Sequence, residues 1–175
     1  TSGFRETYGG LHKKFGVEPD MAMFGKAMGN GYGITAIIGK EEIMQAAQTT
    51  FISSTFWTER IGPTAALETL KIMKDLESWK IITKKGKEIK KKWTKLAKEK
   101  EIKLTTSGLD ALASFSINSK NFLSYKTLIS QEMLKKGFIA SNSVYLSIAH
   151  TDEIIDEYFS ELEVIFETIK QCEEG

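Results

Sequence analysis

The chain has 175 residues, of which 41% are hydrophobic and 27% charged, with a net charge of +1. That length can bury a real core in one or two small domains, and the near-neutral balance gives no general pull toward nucleic acid or anionic membrane. A single cysteine, Cys172, excludes a disulfide framework and points to a reducing, cytoplasmic compartment; no apolar run reaches the roughly 18 residues of a membrane span, and no segment reads as a signal peptide.

Residues 1–20 are glycine-rich and read as loop, with a short helical piece near Leu11–Phe15. Arg5, one of two arginines, either fixes this loop or makes a surface ion pair. Met21–Phe24 is a short apolar run consistent with a buried strand. Lys26 stands at its C-terminal end, followed by Gly29, Gly31 and Gly33. Open α/β sheets bind ligands at the carboxyl ends of their strands. A lysine between an apolar strand and a small-residue loop is placed for partial desolvation, which disfavours the ammonium form as a Schiff-base lysine needs. The alternative is a surface lysine beside a flexible loop. Ile34–Ile38 is β-branched and reads as a second buried strand, ended by Gly39. Lys40–Gln48 then reads as a short helix with Ile43, Met44 and Ala47 on one side. Thr49–Glu59 is rich in hydroxyls, which suit either a phosphate or a turn with capping side chains.

Gly62-Pro63 predicts a helix start with proline at the first helical position, and Ala66, Leu67, Leu70 and Met73 give its apolar stripe. A second helix is expected over Ser78–Lys100, with Ile82, Ile89, Trp93 and Leu96 at helical spacing. Eleven lysines between Lys80 and Lys103 face Glu88, Glu99 and Glu101. No arginine or stacking platform is interleaved, so a solvated helix face explains them better than a nucleic-acid patch. Leu112–Ile117 alternates as a half-buried strand. Phe122–Lys136 is a helix ended by Gly137. Tyr145–Ala149 is a further strand, and Thr151 caps a last helix carrying Ile155, Tyr158, Phe159, Leu162, Ile165, Phe166 and Ile169.

Other chemistries are disfavoured. The glycines of 29–33 lack the dinucleotide spacing, and Gly25-Lys26-Ala27 lacks the hydroxyl residue of a P-loop. His12 and His150 are far apart with no cysteine pair, so no zinc site is expected, and His150 reads as structural. Cys172 lies in a terminal tail, away from any histidine partner.

Four stretches, taken together, resemble class III pyridoxal-phosphate (PLP) aminotransferases, most similarly the glutamate-1-semialdehyde aminomutase branch and its aminotransferase relatives. They are Thr1-Ser2-Gly3-Phe4-Arg5, the segment from Phe24-Gly25-Lys26 to Gly33-Ile34, Ser54-Thr55-Phe56 with Gly62-Pro63-Thr64-Ala65-Ala66, and Tyr145–Glu153. The resemblance implies an α/β, fold-type I enzyme of which this chain is the C-terminal part. Residues 1–76 would end the large cofactor domain, and residues 77–175 would form a small α+β domain. It implies that Lys26 forms the internal aldimine with PLP. It also implies that Thr55 binds the cofactor phosphate of the neighbouring subunit in a homodimer with shared active sites. The departure at Trp57–Ile61 leaves Ser54 or Thr58 as alternatives for that role. The aspartate that pairs with the pyridine nitrogen would fall before Thr1, and Arg60 would hold a substrate carboxylate or a rim salt bridge. The reaction implied is amino transfer between small-molecule donors and acceptors, with aminomutase chemistry as the alternative. A reading of another class is a non-catalytic dimerisation or binding module that kept the fold.

Overall fold

Met21–Phe24 forms strand β1 and pairs antiparallel with β2 (Ala36–Gly39), from Met21 opposite Gly39 to Phe24 opposite Ala36. The second strand starts two residues later than expected. β1 ends at Phe24, so Ile34 and Thr35 have no strand to pair with and pack instead against Gly29 and Gly25. Neither strand is fully buried, in contrast to the sequence reading. Met21, Met23 and Ile37 are exposed on one face of the ribbon, and Ile38, opposite Ala22, is exposed on the other, so only Phe24, Ala22 and Ala36 are partly covered.

The structure, a computed structural model, describes residues 1–175, which divide into two units, Thr1–Lys80 and Ile81–Gly175. In the first unit, a 3-10 turn at Leu11–Phe15 precedes β1. Helix α1 (Glu41–Met44) is a single turn continued by a 3-10 segment, Gln45–Thr49. Helix α2 spans Ile61–Leu76. Pro63 is its third residue and not its first, still within the turn whose N–H groups have no helical acceptor. Ala66, Leu70 and Met73 pack with Phe4, Phe24, Met28, Ile34 and Ala36 into a small core. Leu67, one step round the helix from Ala66, is exposed rather than part of that stripe.

The second unit holds α3 (Ser78–Glu99) from Ile81 onward, β3 (Leu104–Ser107), β4 (Leu112–Ile117), α4 (Phe122–Lys135), β5 (Ser143–Tyr145) and α5 (Asp152–Glu174). The sheet order is β3-β4-β5, antiparallel throughout, with Leu104 opposite Ile117 and Ala113 opposite Val144. β4 alternates as its sequence predicts: Ala113, Phe115 and Ile117 are buried and the residues between are not. β5 covers Ser143–Tyr145 and shares only Tyr145 with the strand expected over Tyr145–Ala149. After Leu146 N donates to Ala111 O (3.1 Å), Ser147 N donates to His150 Nδ1 (3.1 Å), folding the chain into a turn before the Thr151 cap.

Trp93, Phe115 and Phe166 meet edge-to-face at the centre of this unit, with centroids 4.8 and 6.0 Å apart. The lysines of α3 turn away from that core. Lys85 pairs with Asp152, Lys92 with Asp156 (2.5 Å), and Lys100, just past the helix, with Glu163 (3.2 Å) and Glu167 (3.1 Å), so the basic helix is matched by acidic α5. No helix is long and apolar enough to cross a membrane.

Candidate active site

The site is built on the turn that follows β1. Phe24 is the last paired residue of the strand, and Lys26 opens a 3-10 turn, Lys26–Met28. Its backbone sits at φ 45°, in the left-handed region. A non-glycine residue held there costs of order 1–3 kcal/mol and persists where the surroundings over-determine it. The surroundings are specific. Met28 is buried against Ala66 of α2, and the Lys26 carbonyl accepts from both Gly29 N and Asn30 N (3.1 Å each). At Gly29 a β-carbon would lie 2.1 Å from the Tyr32 carbonyl oxygen, so the tight turn requires glycine there. The strain at Lys26 is thus held by a buried methionine below and a closed loop above.

The side chain of Lys26 is exposed within these 175 residues, which by themselves do not supply the partial desolvation expected from the sequence. Here β1 belongs to a two-stranded ribbon with β2. Lys26 Nζ donates to Thr1 Oγ1 at 2.6 Å and is ion-paired to no carboxylate. Beside it, Thr1–Gly3, His12 and Met23–Gly25 line a cleft of about 210 Å³. Lys26 follows directly on Gly25 of that lining, and Thr1, the partner of its amine, belongs to it. Arg5 also finds its place here: its Nε donates to the Thr1 carbonyl at 3.1 Å, fixing the loop.

The hydroxyl-rich segment is laid out separately. Residues 51–54 have no regular structure, Thr55–Thr58 form a turn, and every residue from Thr49 to Thr58 is exposed. Ser54 Oγ accepts from Phe56 N (3.1 Å), a local turn contact. Neither Ser54 nor Thr55 is a hydrogen-bond partner of Lys26. The segment ends at Glu59, whose carboxylate accepts from Ile61 N and from Gly62 N (2.9 Å) and so caps α2, a role the sequence reading missed. The signal was an acidic residue just before the first helical turn. Arg60, beside it, is exposed.

The second unit has a groove of its own, lined by Ile89, Phe138, Val144, Tyr145, His150 and Tyr158. Its histidine is engaged in the Ser147 turn.

Comparison with known proteins bears on this arrangement. Residues 6–166 match the model of the family described as aminotransferase class-III. The 3-aminobutyryl-CoA aminotransferase of Cloacimonas acidaminovorans is 33% identical over 158 residues, 87% of this chain and 38% of that protein. The glutamate-1-semialdehyde 2,1-aminomutase of Persephonella marina is 27% identical over 185 residues, 96% of this chain and 43% of that protein. Among solved structures, the PLP internal aldimine form of the FumI protein of Sphingopyxis sp. MTA144 superposes with a TM-score of 0.83 at 22% identity, covering 91% of this chain and 39% of that one. A transaminase with PLP bound gives 0.88 at 17% identity, covering 99% and 44%. These likenesses show the fold, that of the PLP-dependent transaminases. The chain spans about two fifths of the length of the curated relatives it matches. With a family match that runs through both units, the chain belongs to the class III aminotransferases.

Proposed function

We propose that this chain carries the cofactor lysine of a PLP-dependent enzyme that transfers amino groups, and that Lys26 is that lysine. The observation that carries the reading is the strained backbone of Lys26 at the end of β1, which holds an amine free of carboxylate partners beside a small cleft. PLP supplies an electron sink for the carbanion chemistry of amine substrates. Lys26 Nζ would hold the cofactor covalently. When an incoming amine displaces it, the same nitrogen would accept the proton from the substrate carbon, as general base and then general acid. Thr55 of a second copy would bind the phosphate through its hydroxyl, with Ser54 or Thr58 as the neighbouring alternative, so the working unit is a homodimer. Residues 1–76 would serve the cofactor and residues 77–175 the small domain. Arg60 is the candidate for a substrate carboxylate.

Aminotransfer between two molecules is favoured over intramolecular transfer by the aminotransferase relative at 33% identity; the aminomutase reading rests on relatives such as that at 27%. The test is reduction of the intact, PLP-treated protein with borohydride, followed by peptide mass mapping. The pyridoxyl group is expected on Lys26 in the wild type and absent in Lys26→Ala, which also loses turnover. Label on a different lysine, or amine turnover by Lys26→Ala, would overturn the assignment.

A further inference from the structure

Thr1 is the residue whose side chain reaches the Lys26 amine, and three independent contacts put it there. Phe4 stacks on Phe24, with centroids 4.9 Å apart and planes 28° from parallel, so the turn Ser2–Arg5 is pinned to the end of β1, two residues before the lysine. Arg5 N closes that turn onto Ser2 O (3.2 Å). Arg5 Nε then reaches back to Thr1 O (3.1 Å), which fixes the Thr1 backbone and leaves its hydroxyl to face Lys26 Nζ at 2.6 Å. Phe4 and Phe24 belong to the same small core that buries Met28 under the lysine turn. Lysine has four rotatable bonds, and an exposed one is ordinarily spread over many rotamers. Here one acceptor, set by the lysine's own strand, selects among them.

We propose that Thr1 is a positioning residue for the Lys26 amine. Its Oγ1 accepts a hydrogen bond from Nζ and holds the nitrogen against Thr1, which lines the cleft together with Gly3 and Gly25. No covalent step involves Thr1; it acts through the lysine. The assignment extends the reading of Lys26 as the cofactor lysine and has consequences that do not depend on it.

The test uses the intact protein as wild type, Thr1→Val and Thr1→Ser. Valine keeps the branched shape and removes the acceptor, and serine restores it. In cofactor-free protein, acetylation of Lys26 by acetic anhydride at one fixed pH is followed by peptide mass mapping, with Lys40 as internal reference. The Lys26-to-Lys40 rate ratio is expected to rise about tenfold in Thr1→Val, the size of one hydrogen bond to a charged donor, and to stay within twofold in Thr1→Ser. In PLP-loaded protein, kcat should fall about tenfold in Thr1→Val with KM within twofold, and serine should rescue it. An unchanged rate ratio in Thr1→Val, or equal loss in Thr1→Ser, overturns the proposal. If borohydride fixes no pyridoxyl group on Lys26 of the wild type, the cofactor reading fails, while the acetylation ratio still decides the Thr1 contact.

Discussion

Trp93 Nε1 donates to Tyr158 Oη at 3.0 Å, joining α3 to α5 inside the core of the second unit. Trp93 is fully buried and Tyr158 nearly so. Burial pushes the Tyr158 phenol well above its usual range, so it stays neutral at all ordinary pH and acts only as acceptor and packing group here. Tyr158→Phe keeps the ring and orphans the indole N–H. It is expected to lower stability by about 1–3 kcal/mol, read from the urea midpoint. A midpoint unchanged within error would mean that the indole finds another acceptor.

The approach of α3 to the loop before β4 admits no side chain. A β-carbon on Gly86 would lie 1.7 Å from the Asp110 carbonyl oxygen and 3.0 Å from Leu146 Cδ1. The first obstacle is backbone, so it cannot rotate away. Gly86→Ala should destabilise by about 3 kcal/mol, the upper end of overpacking costs, and despite alanine's better helix propensity. Thermal unfolding of the variant checks this, and a rise in Tm would show that the helix slides without penalty.

Glu59 caps α2 with both carboxylate oxygens, one to Ile61 N and one to Gly62 N. Glu59→Ala leaves two amide donors at a helix start without that acceptor and removes a negative charge from the positive end of the dipole. The expected cost is about 1 kcal/mol. Hydrogen exchange at Ile61 and Gly62 should accelerate several-fold, with exchange at the far end of the helix, near Met73, unchanged.

Several acidic groups of the second unit gain a partner on folding. A hydrogen bond from Lys170 holds Glu101 below the usual carboxylate range, one from Lys85 does so for Asp152, and one from Tyr125 for Glu173. A depressed folded pKa stabilises above the unfolded value and loses that contribution as pH falls through the folded one. Lys100 is raised by Glu167 and Glu163, and Lys170 by Glu101, so their contribution is present below the ordinary lysine range and lost above it. Stability is therefore expected to be flat from about pH 5 to pH 10 and to decline on both sides. The carboxylates of the lysine pairs are exposed, so the slopes from those pairs should shrink in 1 M salt, whereas the part that Glu173 owes to the neutral phenol of buried Tyr125 should not; lysine-pair slopes insensitive to salt would argue against them as the source.

What the amino-acid order determined by itself was everything carried by local periodicity and local chemistry. The stripe Ile82, Ile89, Trp93, Leu96 placed α3, the alternation at Leu112–Ile117 placed β4, and Thr151 marked the start of α5, because each signal lies within a few residues of what it specifies. The family was legible too, since its motifs are contiguous stretches around Lys26 and Tyr145–Glu153. Tertiary structure alone decided which partner each element meets. It exposed Leu67 and the outer face of β1, moved the start of β2 to Ala36, and gave Glu59 to the end of α2. It also brought Thr1 across 25 residues of chain to the Lys26 amine. Such contacts depend on how a stacked pair like Phe4 and Phe24 orients two segments in space, a relation that no spacing along the chain encodes.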